Sequence, residues 1–288
     1  GLTLLLGIVV DVLLARRRPG DPATWRRLYE RWFGTRRLAG TLIVLCTLPA
    51  LLDVMLGYRM ALTDVKPFAH DALFMRWDAW LHLGRHPWEL LQPLLGHPGV
   101  TVALDRIYVY GWFAMLWIGT IWQTVHGKEP IRLQYLLSFA ACWILLGTIG
   151  AIALSSAGPV YFGRVTGLED PYVPLFAYLA AVDAETPLWA LANQERLWLS
   201  YRTWGGITAM PSMHLAITTV VALAAVRTDR RLAFLVGPVW LFMLIGSVHL
   251  GWHYAVDSYV GIAAAGLLWW LCGRTARRWL ESAPEAAA

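Results

Sequence analysis

The chain is 288 residues long and 58% hydrophobic, with 17 tryptophans and only 15% charged residues, where a soluble domain of this length would carry about 25%. Its apolar residues lie in runs of roughly 18 to 25, the length needed to cross ~30 Å of hydrocarbon, which excludes a soluble globular enzyme and indicates a polytopic helical membrane protein. The net charge of +5 is not a nucleic-acid signature, because the arginines sit beside apolar runs as orientation and headgroup signals.

Leu2 to Leu14 reads as a short first span or the end of a longer one; it opens at Gly1 inside an apolar run, so a preceding piece is expected. No small-residue cleavage site follows, which argues against a signal peptide. Eight arginines then fall between positions 16 and 37. Asp21 and Pro22 form an N-cap and first-turn pair, and Trp25, Leu28 and Trp32 recur at helical spacing. The stretch is expected to be a basic juxtamembrane helix on an anionic leaflet, or a charged linker obeying the positive-inside rule. Leu38 to Leu56 is the second span.

Residues 66–98 form no span, since they carry His70, Asp71, Arg76, Asp78, His82, Arg85, His86, Glu89 and His97. Phe74, Trp77, Trp80 and Leu81 share one helical face, which suggests a helix lying in the opposite interface with tryptophan anchors. The histidines share no helical register, so no metal site is expected there. Thr101 to Val125 and Ile131 to Leu154 are spans three and four, joined by the basic turn HGKEPIR. Residues 155–203 are again amphipathic, opening with SSAGPVYFGR and including a helix from Pro187 to Tyr201. Spans five (about 207–226), six (232–248) and seven (254–272) follow, with RTDRR between five and six and RTARR after seven. The three cysteines, Cys46, Cys142 and Cys272, fall inside spans and read as small core hydrophobes.

The short basic loops at 16–37, 126–132 and 227–231 and the tail at 274–278 belong in the cytoplasm. The segments 57–103, 155–206 and 249–253 then face outward. His214, at the start of span five, and His253, between spans six and seven, therefore share one side of the membrane.

Two motifs carry the chemistry. In MPSMHLA, Pro211 and Ser212 sit where a helix begins, and unpaired backbone N–H groups with the positive end of the dipole favour an anion there. His214 lies in that first turn. In HLGWHYAVD, His253 and Asp257 are four apart, which would stack them on one helix face. Asp257 would fix the tautomer of His253 and leave its other nitrogen as a nucleophile. His249, His253 and Asp257 also make an i, i+4, i+8 stripe, a possible metal-ligand face.

PSMH followed by GWHYAVD resembles the second and third motifs of the phosphatidic acid phosphatase type 2 superfamily, over roughly positions 100 to 273. The resemblance implies a phosphohistidine at His253, orientation by Asp257, and protonation of the leaving group by His214, without metal or cofactor. The chain departs from the phosphatase branch in lacking a KxxxxxxRP motif and in having Gly246 and Ser247 where that branch has Ser and Arg. Fewer cations suit a singly charged diester better than a monoester. With PSMH and SAGPVYF, the chain is closest in pattern to the inositol phosphorylceramide synthase and sphingomyelin synthase branch. Transferring phosphate still demands positive charge; topology excludes Lys128 and the RTDRR cluster, and among the outward arginines Arg164, a few residues after span four, and Arg202, just before span five, are the candidates. Tyr161 and Ser212 would donate hydroxyls, and Ser247 and His249 complete the candidate phosphate-binding set.

The expected fold is all-α, with about seven spans, a six-helix phosphatidic-acid-phosphatase-like core and outward amphipathic interfacial helices. The expected divisions are N-terminal spans over 1–60, interfacial helices over 61–100, a catalytic core over 101–273 that includes the outward loop 155–206, and a cytoplasmic tail over 274–288. The expected activity moves a phospho-headgroup from a phospholipid donor to a lipid or glycolipid acceptor in a bacterial plasma membrane, with the site on the periplasmic side. A lipid or polyprenyl phosphate phosphatase is the alternative, and a non-enzymatic transporter or scaffold the third.

Overall fold

The structure, a computed structural model, describes residues 68–200 and 207–282 together with isolated helical positions between 42 and 54. The first span, the basic segment 16–37, most of the second span and Arg202 lie outside the described residues. The described residues are all helical or irregular, with no strand among them. Two short helices come first, α1 (Asp71–Leu81) and α2 (Pro87–Leu95). A continuous helix α3 spans 98–126. It begins as a regular helix at Pro98–Arg106, passes through π turns at Ile107–Gly111 and Ala114–Gly119, and ends regularly at Thr120–His126. Next are α4 (Ile131–Ala153), α5 (Phe162–Thr166), α6 (Val173–Glu185) and α7 (Trp189–Ser200). The chain finishes with α8 (Met213–Thr228), α9 (Ala233–His249) and α10 (Ala255–Ser282).

Three of these segments are long and apolar enough to cross a bilayer: α4, the stretch Arg230–His249 that contains α9, and α10. The chain is thus an integral membrane protein on composition and length, with three of the expected spans recovered on those criteria. The fifth expected span is the shorter apolar helix α8, which begins at Met213 rather than at 207.

Helix α8 is the axis of the bundle. Ten of its side chains are buried, on every face, as expected of a helix surrounded by others. Its neighbours approach closely because they offer glycine. A Cβ on Gly119 of α3 would come within 2.6 Å of Val221 Cγ1, and one on Gly261 of α10 within 2.6 Å of Ser212 O. Gly273 lets α10 lie against Gln134 of α4, whose side-chain amide donates to Trp269 O at 2.8 Å. Small residues at crossings are how helices pack where lipid removes the hydrophobic drive between them. One polar bond also ties α9 to α8, from Trp240 Nε1 to Thr219 Oγ1 at 2.8 Å.

The end of the bundle where α8 and α10 begin is held by carboxylates. Asp71, at the start of α1, accepts from the backbone N–H groups of Ala157 and Gly158 at 2.9–3.0 Å and from the Tyr254 hydroxyl at 2.9 Å. Asp78, two turns further along α1, accepts from Ala255 N and Val256 N, both at 2.8 Å, and so caps α10. Asp105 of α3 accepts from Trp189 N at 3.0 Å and Ala190 N at 2.8 Å at the start of α7. Trp77, Trp80 and Leu81 of α1 are exposed while Phe74 is fully buried. The helix thus offers an apolar rim outward, fitted to an interface, and points both carboxylates into the protein.

Candidate active site

The site forms where the N-termini of α8 and α10 meet the C-terminus of α9. Ser212 is the N-cap of α8, its Oγ accepting from Leu215 N at 3.5 Å, and its own N–H donates to Asp257 O at 3.0 Å. That backbone bond joins the two helix starts directly. His214 follows in the first turn of α8. Its ring centroid lies 5.8 Å from that of His253, with the planes at 65°. The two motifs, 39 positions apart along the chain, are thereby brought to one point.

His253 lies before α10, not on it, because α9 ends at His249 and residues 250–254 turn. This corrects the expected stacking of His253 and Asp257 on one helix face. Tyr254 is the N-cap of α10, and Asp257 in its first turn reaches back to accept from Tyr254 N at 3.0 Å, half of a capping box. The same oxygen, Oδ2, lies 3.4 Å from His253 Nδ1. Asp257 is fully buried and its Oδ1 has no hydrogen-bond partner among the described residues, whereas His253 is 6% exposed. The pair can thus orient one imidazole nitrogen with a carboxylate and leave the other facing His214.

The break in helix also separates His249 from the stripe. Its Nε2 is bonded to Thr101 Oγ1 at 2.9 Å, and Thr101 Oγ1 to the Tyr178 hydroxyl at 2.7 Å. Among the described residues no group of three His, Cys, Asp or Glu side chains is placed to hold a metal ion. Ser247 is fully buried, donating to Leu244 O at 2.7 Å and lying 3.2 Å from Ser258 Oγ across the α9–α10 contact.

The outward candidates are committed elsewhere. The Tyr161 hydroxyl donates to Gln194 O at 2.7 Å, and burial pushes its acidity away from titration so that it remains a donor. Arg164 pairs with Glu195 at 2.8 Å and sits 5.3 Å over the Trp198 ring. Its side chain is 46% exposed, so the pair is worth little to stability and can open readily.

What the sequence hid is the scaffold beneath the pair. Ala157 and Gly158 belong to the SAGPVYF stretch, and through Asp71 they are tied to Tyr254, the residue after His253. Gly158 adopts φ 94° and a Cβ there would meet Trp252 O at 2.7 Å, so only glycine fits this approach. Ala209 N donates to Ser156 O at 3.0 Å and Val160 N to Gly251 O at 3.1 Å, which laces the three loops together. Burial raises Asp71 above the ordinary carboxylate range, and it pushes Asp78 up to about 7 against the pull of its two amide donors, with the charge of Asp257 adding to the rise.

A family model described as the PAP2 superfamily matches residues 72–271, more than half of the chain. Comparison with curated proteins and with solved structures gives no match.

Proposed function

Because this chain belongs to the PAP2 superfamily, whose members are phosphatases or phosphotransferases, we propose that it is a membrane-embedded lipid phosphotransferase. It moves a phospho-headgroup from a lipid phosphodiester to an acceptor hydroxyl by way of His253. The observation that carries this reading is the pair of imidazoles 5.8 Å apart between centroids, one of them backed by a buried carboxylate.

With Nδ1 turned to Asp257, His253 attacks phosphorus through Nε2. The N–P bond forms, the bond to the leaving oxygen breaks, and His214 gives that oxygen its proton. In the second half the acceptor hydroxyl gives its proton to His214 as its oxygen attacks phosphorus, and the N–P bond breaks. The first turn of α8 and the Ser212 hydroxyl face the phosphate with helix-terminal donors. Arg164, once released from Glu195, and Arg202 supply charge from the outward side, with Tyr161, Ser247 and His249 as the remaining candidates for shaping the phosphate site.

Ser247, neutral and tied into a helix contact where the phosphatase motif has arginine, supports a singly charged diester over a monoester. The motif pattern supports the inositol phosphorylceramide and sphingomyelin synthase branch for the same reason. The site faces the outer side of the membrane, periplasmic if the host is bacterial, because the loops at 126–132 and 227–231 are the basic ones.

The test is an assay in detergent with labelled phospholipid and a lipid alcohol. A new headgroup-bearing lipid is the expected product, abolished in His253→Ala. Release of the phosphorylated headgroup into water, or of phosphate from a monoester lipid, would assign the same residues to hydrolysis, and full activity in His253→Ala would refute both.

A further inference from the structure

His214 is held in an aromatic cradle that the reaction scheme does not use. The Tyr108 ring stacks against it, with centroids 5.0 Å apart and planes at 23°, and the Trp112 ring lies beside it, at 4.5 Å and 45°. Both rings come from α3, four residues apart: Tyr108 lies within the π turn Ile107–Gly111, and Trp112 directly follows it, ahead of the second π turn at Ala114–Gly119. Such turns in an otherwise regular helix often mark sites that need side chains re-aimed. Tyr108 is 4% exposed, its hydroxyl has no hydrogen-bond partner among the described residues, and its ring rests against Gly246 of α9. What it offers His214 is its ring face, the two planes lying 23° apart.

A ring within about 6 Å of a cation attracts it through the negative charge of the π face, most strongly where water is excluded. Among the described residues, Tyr108 itself, His253 before α10 and, behind it, Asp257 are titratable groups near His214. Resting on the phosphotransfer reading above, we propose that Tyr108 and Trp112 are positioning residues that hold His214 as the imidazolium, the form that must protonate the leaving oxygen. The cradle supplies negative π density where the site needs a stable cation beside a departing alkoxide. It also fixes the ring plane so that the proton points at the leaving group.

A leaving-group comparison tests this. Purified protein is given two short-chain phosphodiesters that differ only in the departing group, an alkyl alcohol or 4-nitrophenol. An alkoxide needs a proton to leave, and a nitrophenolate does not. In Trp112→Leu the alkyl substrate is expected to slow about tenfold, the worth of one desolvated cation–π contact, and the nitrophenyl substrate by no more than about 3-fold. Trp112→Phe and Tyr108→Phe keep a ring face and should hold the alkyl-to-nitrophenyl rate ratio within about 3-fold of the native protein, with Trp112→Phe lowering it about 2-fold. Equal loss on both substrates, or no loss on the alkyl one, overturns the inference. Should Trp112→Leu fail to melt cooperatively, the ratio in Trp112→Phe decides: no decrease overturns the proposal. Failure of the native protein to turn over either diester would instead count against the phosphotransfer reading.

Discussion

At the scale of single residues, His214, His253 and Asp257 were legible because each motif is local: Ser212 to His214 spans three positions and His253 to Asp257 five. The geometry of the second motif was not, because spacing alone does not say where α10 starts, and His253 turns out to precede it. In the sequence Asp71 and Asp78 read as charge on an interfacial segment, and Asp105 as one acid near the start of span three. Their donors lie 86, 177 and 84 positions away, beyond the reach of any periodicity, although the seven-residue spacing of Asp71 and Asp78 does place both on one helix face. Asp257→Asn keeps the shape of the carboxyl but donates from one side. It should reverse the tautomer preference of His253 and lower turnover by a factor on the order of 10² to 10⁴. Circular dichroism and melting temperature should remain close to those of the native protein, and a loss of activity that tracked unfolding would point to a structural role instead.

Among the elements, α1 has the largest gap between its appearance in sequence and its work in the fold. Its tryptophans suggest a helix resting on the membrane, and Trp77 and Trp80 are exposed. Its two aspartates nevertheless clasp the SAGPVYF loop, Tyr254 and the first turn of α10. Asp78 is raised from 3.8 to about 7 in the folded protein. The folded state therefore holds that proton more tightly than the unfolded chain, and the stability contributed by this group is greatest at low pH and lost as the pH rises through the window from about 4 to about 7. The melting temperature of the native protein minus that of Asp78→Asn should fall between pH 5 and 7.5 in detergent. A difference that grew over the same range would contradict the raised value. The spans α4, α9 and α10 were readable from hydropathy. The π turns in α3 were not, since nothing in IYVYGWFAMLWIG distinguishes them from regular helix by apolar pattern.

For the whole molecule, the alternation of basic loops with less basic ones predicts which ends share a side of the membrane, and the fold brings His214 and His253 together at one end. Helices α8 and α10 start at the same end, and α9 returns between them. In a protein freed of Cys46, Cys142 and Cys272, a cysteine at Leu168 should react with an impermeant maleimide on intact cells, and one at Arg230 only after the membrane is opened. Equal reaction of both without opening would overturn the topology. The most direct trial of the central claim is to quench the protein during turnover of a phosphodiester labelled in its phospho-headgroup, and locate any acid-labile phosphate by mass spectrometry. The account predicts the labelled phospho-headgroup on the imidazole of His253 in the native protein, none in His253→Ala, and accumulation in His214→Ala with a 4-nitrophenyl donor. Product formation with no label on His253, or label on another side chain, would contradict it.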